Sequence, residues 1–238
     1  MALETQEIGY RDGDTSLRGF LAWDNHTAAR RPGVLVVHGG AGLDDHARTR
    51  ATRIAKLGFA AFACDMYGEG VAGNRERVMG LLMRYRSDRQ ALRRRALSGL
   101  DQISTHPLVD GRLAAIGFCF GGMTVLELAR AGTELAGVVS MHGSLDSPLP
   151  AEPGDIRTKI LVCHGALDPH VPMDQVTGFL DEMNRANADY QFIAYSGALH
   201  GFTHEHAAMN PIPGVAYHAT VDRRSWIAMK DFFSEVFG

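Results

Sequence analysis

The sequence predicts an α/β fold, an eight-stranded and mostly parallel sheet flanked by helices, from three observations. Short continuous apolar runs alternate with longer segments of helical periodicity, the pattern of strands buried on both faces and joined by helices. Glycine-rich turns close several of the apolar runs, as expected where strands hand over to helices. No repeat, low-complexity tract or linker interrupts the 238 residues, so a single domain over 1–238 is expected.

Residues 4–10 and 16–23 flank the turn-forming Asp12-Gly13-Asp14 and read as a β-hairpin. Residues 33–38 (GVLVVH) form the third strand; 44–57 is helical and is stopped by Gly58, and 59–64 is the fourth strand. Residues 74–105 read as one long, arginine-rich helical stretch, with Arg84, Arg86, Arg89, Arg93, Arg94 and Arg95 expected on a solvated face. The fifth strand, 113–116, enters a helix that runs to residue 130, and 137–141 is the sixth. Residues 159–164 and 189–195 complete the strands, with helices at 173–187 and 221–237.

Composition narrows the function. A formal net charge of −3 gives no polyelectrolyte signature, so no nucleic-acid partner is expected. The start, Met1-Ala2-Leu3-Glu4, has no basic or apolar leader character, and no apolar run reaches membrane-spanning length. Three widely spaced cysteines without a C-x-x-C pair argue against a disulfide framework or zinc site, and for a reducing, cytoplasmic setting. Cys64 and Cys163 fall within strands and are expected to be inert.

The stretch Gly117-Phe118-Cys119-Phe120-Gly121-Gly122 lies between the fifth strand and its helix, and has the form of a nucleophile elbow with a thiol at the apex. The apex residue of such a turn is strained, and its glycine neighbours keep side chains out of the strand and helix. A thiol at a helix N-terminus also has its thiolate favoured. Read alone, Cys119 could equally be a buried structural cysteine. Two further positions decide the reading. Asp168 follows the seventh strand in His164-Gly165-Ala166-Leu167-Asp168-Pro169-His170-Val171-Pro172, and His200 follows the eighth in Gly197-Ala198-Leu199-His200-Gly201-Phe202. All three lie beyond strand carboxyl ends, in the chain order nucleophile, acid, histidine of α/β-hydrolases. His200 would take and return a proton while Asp168 fixed its tautomer.

Backbone N–H groups of Gly40, in His38-Gly39-Gly40-Ala41-Gly42, and of Phe120 are the expected oxyanion donors. His200, His204 and His206 cluster, but Gly201 disfavours the helix that would align the first two on a metal, so neither metal nor cofactor is expected.

These residues together resemble the dienelactone hydrolase family of α/β-hydrolases, over about 32–237; Cys64-Asp65-Met66-Tyr67-Gly68 adds to the likeness. The resemblance implies a Cys119–His200–Asp168 triad acting on small esters or lactones through an acyl-enzyme. The chain departs from the family in three places. A glycine near Gly39 stands where the family carries a thiol-activating glutamate. Glu69 and His204 stand where the family binds the substrate carboxylate with arginines. An anionic dienelactone is therefore not the expected natural substrate. The segment 144–158 is too short for a large lid, which leaves the loop 69–86 and tail 203–217 to line the mouth, with Tyr67, Phe120 and Phe202 as apolar walls and Phe118 expected to pack under the elbow rather than touch substrate. The expected activity is hydrolysis of a small ester or lactone; an acyltransferase using the same triad, or a non-catalytic binding protein of this fold, are the alternatives. The oligomeric state is left open.

Overall fold

A computed structural model describes residues 3–26, 28–209 and 211–238. Met1 and Ala2, which bore on the expectation of a leaderless start, lie outside the described residues, as does Asn210 in the tail expected at the mouth. The chain divides into two compact units, Met1–Ile116 and Gly117–Gly238. The boundary falls at Gly117, the first residue of the cysteine elbow.

The first unit opens with the expected hairpin, β1 (Leu3–Asp12) and β2 (Thr15–Asp24), paired antiparallel. Strand β2 then pairs antiparallel with β4 (Ala60–Cys64), and β4 lies parallel to β3 (Arg31–Val37). With β5 (Val109–Phe118) the order is β1-β2-β4-β3-β5. Strands β3 and β4 are almost wholly buried, which explains their unbroken apolar runs. Gly19 makes room for the Phe62 ring of β4, since a Cβ there would stand 2.1 Å from Phe62 Cζ. Helix α1 (Asp45–Ala55) begins where Asp44 accepts a hydrogen bond from the Ala47 N–H at 3.1 Å.

The arginine-rich stretch is not one helix. Helices α2 (Arg75–Ser87) and α3 (Arg89–Ser104) meet at Asp88, whose φ of −115° and ψ of 86° break the helical path. Its N–H closes α2 on the Arg84 carbonyl at 2.8 Å, and its carboxylate caps α3 through the Ala91 N–H at 2.9 Å. The solvated face also needs correction. Arg84, Arg86 and Arg94 are exposed, but Arg89 and Arg95 are buried. Arg95 donates to Asp12 at 2.8 Å and to the Met66 carbonyl at 2.9 Å, tying α3 to the end of the hairpin.

The second unit holds β6 (Gly137–Met141), β7 (Lys159–Gly165) and β8 (Tyr190–Tyr195), parallel and in that order. Helix α4 (Phe120–Arg130) is buried along its whole length, and α5 (Met173–Arg185) and α6 (Ala219–Phe237) complete the unit. Gly137 admits α6 closely, since a Cβ there would meet the Phe232 ring at 2.7 Å. The link 142–158 between β6 and β7 contains neither helix nor strand.

A buried ionic cluster joins α4 to α5. The Arg130 guanidinium donates to Glu182 through two nitrogens at 2.8 Å each, to Glu127 at 3.3 Å and to the Leu145 carbonyl. Side chains of Arg130 and Glu127 are 1% and 0% exposed, so the cluster is held out of water. Burial alone would raise the Glu182 carboxyl, but Arg130 and the Ala151 N–H outweigh it and hold it below its ordinary range.

Candidate active site

Cys119 sits between β5 and α4 with φ 53° and ψ −110°, a conformation that side-chain-bearing residues rarely adopt. The turn is possible because its neighbours lack side chains. A Cβ on Gly117 would lie 1.9 Å from the Gly121 carbonyl oxygen, and one on Gly122 would lie 2.7 Å from Ser140 Oγ and 2.8 Å from Gly143 Cα. The Cys119 carbonyl accepts from the Met123 N–H at 3.2 Å, so the thiol stands at the N-terminus of α4 and remains partly exposed.

Two loops bring the acid and the histidine together. Strand β7 ends at Gly165, where a Cβ would meet the carbonyl oxygens of Leu199 and Ala198 at 2.6 and 2.7 Å. That closeness lets the Ala166 N–H reach the Tyr195 carbonyl and the Leu167 N–H reach the Ala198 carbonyl, each at 2.9 Å. A second strand-like contact holds the histidine from the other side. Residues 211–216 form a strap in which Gly214 accepts from the His200 N–H at 3.1 Å, while the Ala216 N–H donates back to His200 at 3.0 Å. Gly214 takes φ 78° there, and a Cβ on it would collide with Pro169 at 2.3 Å. His170 Nε2 donates to the Pro213 carbonyl at 2.8 Å, which ties the strap to the aspartate loop.

His200 Nδ1 lies 2.7 Å from Asp168 Oδ2, and His200 Nε2 lies 3.0 Å from Cys119 Sγ. Asp168 Oδ1 accepts from the His170 N–H at 2.8 Å, so both carboxylate oxygens are engaged. Burial works against the charged imidazole, but the Cys119 charge and its hydrogen bonds to Asp168 and Cys119 outweigh it, and His200 is pushed up to about 10. Asp168 moves the other way: burial would raise it, yet its bond to His200 and the imidazolium charge hold it below the usual carboxylate range. A thiolate–imidazolium pair steadied by a carboxylate is the state these contacts favour. The other two cysteines differ. Cys64 and Cys163 are buried, and burial pushes both thiols up, Cys163 to about 12.

The remaining residues singled out in the sequence are dispersed. Phe120 is buried at the start of α4. Gly40 lies in the first unit after β3, and its carbonyl accepts from the Tyr67 hydroxyl at 3.3 Å. Tyr67 is itself buried, stacked on Tyr85 and edge-on to His38. Glu69 is half exposed and ion-paired with Arg18 at 2.7 Å, so the negative charge expected to face a substrate has a cationic partner. Phe202, expected at the mouth, is instead fully buried, edge-on to His142 at 4.9 Å. His204 is partly exposed and closes a turn on the Gly201 carbonyl at 2.8 Å. Among the described residues, no three His, Cys, Asp or Glu side chains are grouped to hold a metal ion.

The sequence reading missed His142. It follows β6, is fully buried, and places Nδ1 3.1 Å from the Cys119 N–H. Its position just past a strand carboxyl end, next to the elbow strand in chain order, was the available signal.

Eight mostly parallel strands alternating with helices, and a cysteine elbow with its histidine and aspartate on later loops, define an α/β-hydrolase. The family model for the dienelactone hydrolase family matches residues 17–237, and the chain belongs to that family. It is thus a hydrolase of the ester or lactone type. Among solved structures, a protein designated m3DLH is 43% identical, with a TM-score of 0.93 and full coverage of both chains. A dienelactone hydrolase-like promiscuous phosphotriesterase from metagenomic libraries is 42% identical, with the same TM-score and full coverage of both chains. A Yersinia pestis protein whose name proposes a carboxymethylenebutenolidase is 28% identical over 228 residues, covering 89% of this chain and 80% of its own. No described helix is long and apolar enough to cross a membrane.

Proposed function

We propose that the chain hydrolyses small, uncharged carboxylic esters or lactones through a Cys119–His200–Asp168 triad and a thioester intermediate. The observation that carries this reading is the pair of contacts at 3.0 and 2.7 Å that link Sγ, imidazole and carboxylate in series. The Cys119 thiolate attacks the carbonyl carbon, and the negative charge passes to the carbonyl oxygen. His200 Nε2–H then protonates the departing alkoxide as the C–O bond breaks, which leaves a thioester and a neutral imidazole. That imidazole removes a proton from water, the hydroxide displaces the thiolate, and carboxylic acid leaves. Asp168 keeps Nδ1 protonated throughout. The Phe120 N–H follows the nucleophile, where an oxyanion donor belongs; a second donor at Gly40 is expected from the sequence alone.

Thiolate leaves a tetrahedral intermediate more easily than alkoxide, so poor leaving groups revert rather than react. Enol esters, lactones and thioesters should therefore outperform amides. In the sequence, Glu69 and His204 stand where the family carries its carboxylate-binding arginines, which favours uncharged substrates over anionic dienelactones. During turnover of an aryl acetate, rapidly quenched wild type should carry one acetyl group on Cys119. Faster turnover of anionic dienelactones than of uncharged lactones would overturn the substrate reading, and an absent adduct would overturn the covalent step.

A second reading, phosphotriester hydrolysis, is favoured by the 42% identity to a promiscuous phosphotriesterase. The same thiolate would attack phosphorus and expel an aryloxide. An aryl dialkyl phosphate in the same quench experiment separates the two, by a dialkylphosphoryl mass on Cys119.

The pH profile gives a further check. His200 must be protonated to deliver a proton to the leaving group, and it is pushed up to about 10. The kcat/KM should hold across neutral pH and fall only as the pH rises through about 10. An alkaline fall near the ordinary histidine value of 6.5 would show that no stable ion pair forms.

A further inference from the structure

The imidazole of His142 spans the two loops that carry the nucleophile and the base. Its backbone takes φ 41°, outside the range that residues other than glycine usually occupy, and its N–H donates to the Cys163 carbonyl at 2.8 Å. The left-handed backbone turns the ring inward from the end of β6. There Nδ1 lies 3.1 Å from the Cys119 N–H, which also reaches the Met141 carbonyl at 2.9 Å. A backbone N–H only donates, so Nδ1 accepts and carries no proton. The proton then resides on Nε2, which donates to Thr203 Oγ1 at 2.8 Å. Thr203 follows His200 by three residues and is buried. The ring face is held as well, edge-on to His200 at 5.3 Å and to Phe202 at 4.9 Å.

We propose that His142 is a positioning residue that sets the distance between Cys119 and His200 by bridging the elbow backbone to the histidine loop. The bridge needs a neutral ring with its proton on Nε2, and the two hydrogen bonds enforce that tautomer. The strained φ of 41° is the cost of aiming the ring this way, a pattern found where backbone strain serves a site. A purely packing role would be met by an apolar ring of the same size. The polar contacts at both ends are what an apolar ring cannot reproduce.

The inference rests on reading Cys119 and His200 as nucleophile and base. Two substitutions break the bridge at its Thr203 end, one from each side of that contact. In His142→Asn the amide oxygen occupies about the place of Nδ1, asparagine tolerates positive φ, and the reach to Thr203 is lost. Thr203→Val removes the acceptor at the far end with little change of shape, and Thr203→Ser restores it. Displacement of a catalytic pair by about 1 Å can cost about 100-fold, so we expect kcat for an aryl acetate to fall about 10- to 100-fold in the first two, with KM changed less than about threefold. Alkylation of Cys119 by iodoacetamide should slow by a similar factor, and Thr203→Ser should alkylate at the wild-type rate. Because both substitutions break one bridge, the double variant should be no slower than the worse single.

Alkylation at the wild-type rate in folded His142→Asn and Thr203→Val would overturn the proposal. So would additive losses in the double variant, or slowing that tracks the drop in Tm and persists in Thr203→Ser. These outcomes differ from failure of the underlying reading, which would show as esterase activity retained in Cys119→Ala.

Discussion

Cys119→Ala should lower kcat/KM for an aryl acetate by about 10⁴- to 10⁶-fold, and His200→Ala should lower it nearly as far. The two losses should not multiply in the double variant, because in the proposed mechanism thiolate and imidazolium act as one unit across the 3.0 Å contact. Cys119→Ser is the more informative companion. It keeps a hydroxyl at the elbow but removes the group whose charge raises His200. The imidazole should then titrate closer to its ordinary value, and any residual activity should rise with pH rather than persist to about 10. Folding should survive all of these changes, since the elbow geometry rests on Gly117 and Gly122 rather than on sulfur. Steady-state rates with far-ultraviolet circular dichroism check both parts. Wild-type turnover in Cys119→Ala would remove this cysteine from the mechanism.

The second large effect concerns stability. Arg130→Met should destabilise the protein by about 3–5 kcal/mol, because it leaves buried Glu127 and Glu182 without their cation. For a chain of this size that corresponds to a Tm lower by about 6–20 °C, readable by calorimetry. The pH dependence has a definite sign. Glu182 is held below its ordinary value of 4.5, so the stability it contributes is present above that value and is lost as the pH falls through the folded one. Removing the whole cluster should cost less than removing the arginine alone, since no buried charge would then be stranded. Glu182→Leu keeps one penalty, because the Ala151 N–H loses its acceptor. An Arg130→Met variant as stable as wild type would show that water reaches the cluster.

Much of the fold could be read from apolar runs alone, because strands buried on both faces leave little room for polar residues. Strands β3, β4, β6 and β7 are of this kind, and their positions were evident. The break at Asp88 was not. Arginine, leucine and alanine favour helix on both sides, and one aspartate within such a run reads as an exposed charge until its cap geometry is seen. Burial of Arg95 was equally hidden, because its partner Asp12 lies far away in the chain, on the hairpin. The same division holds at the site. Cys119, Asp168 and His200 announce themselves through glycine spacing and chain order. His142 carries no motif; its relevance comes from a backbone angle and a ring that reaches two loops at once, both products of tertiary packing. At Glu69 the sequence shows only the sign of the charge, since the Arg18 that meets it lies far away in the chain.

The strap at 211–216 has an implication for how this protein fails. It touches the histidine through main-chain hydrogen bonds, while Ile212 within it and Met209 just before it are 57% and 74% exposed. Strands β6 and β7 take their stability from buried side chains, whereas the strap takes its own from a few peptide groups near solvent. Loss of the strap would free the imidazole while those strands stayed paired. Inactivation by heat or protease can then run ahead of global unfolding, and a sample can look native by spectroscopy after it has stopped turning over.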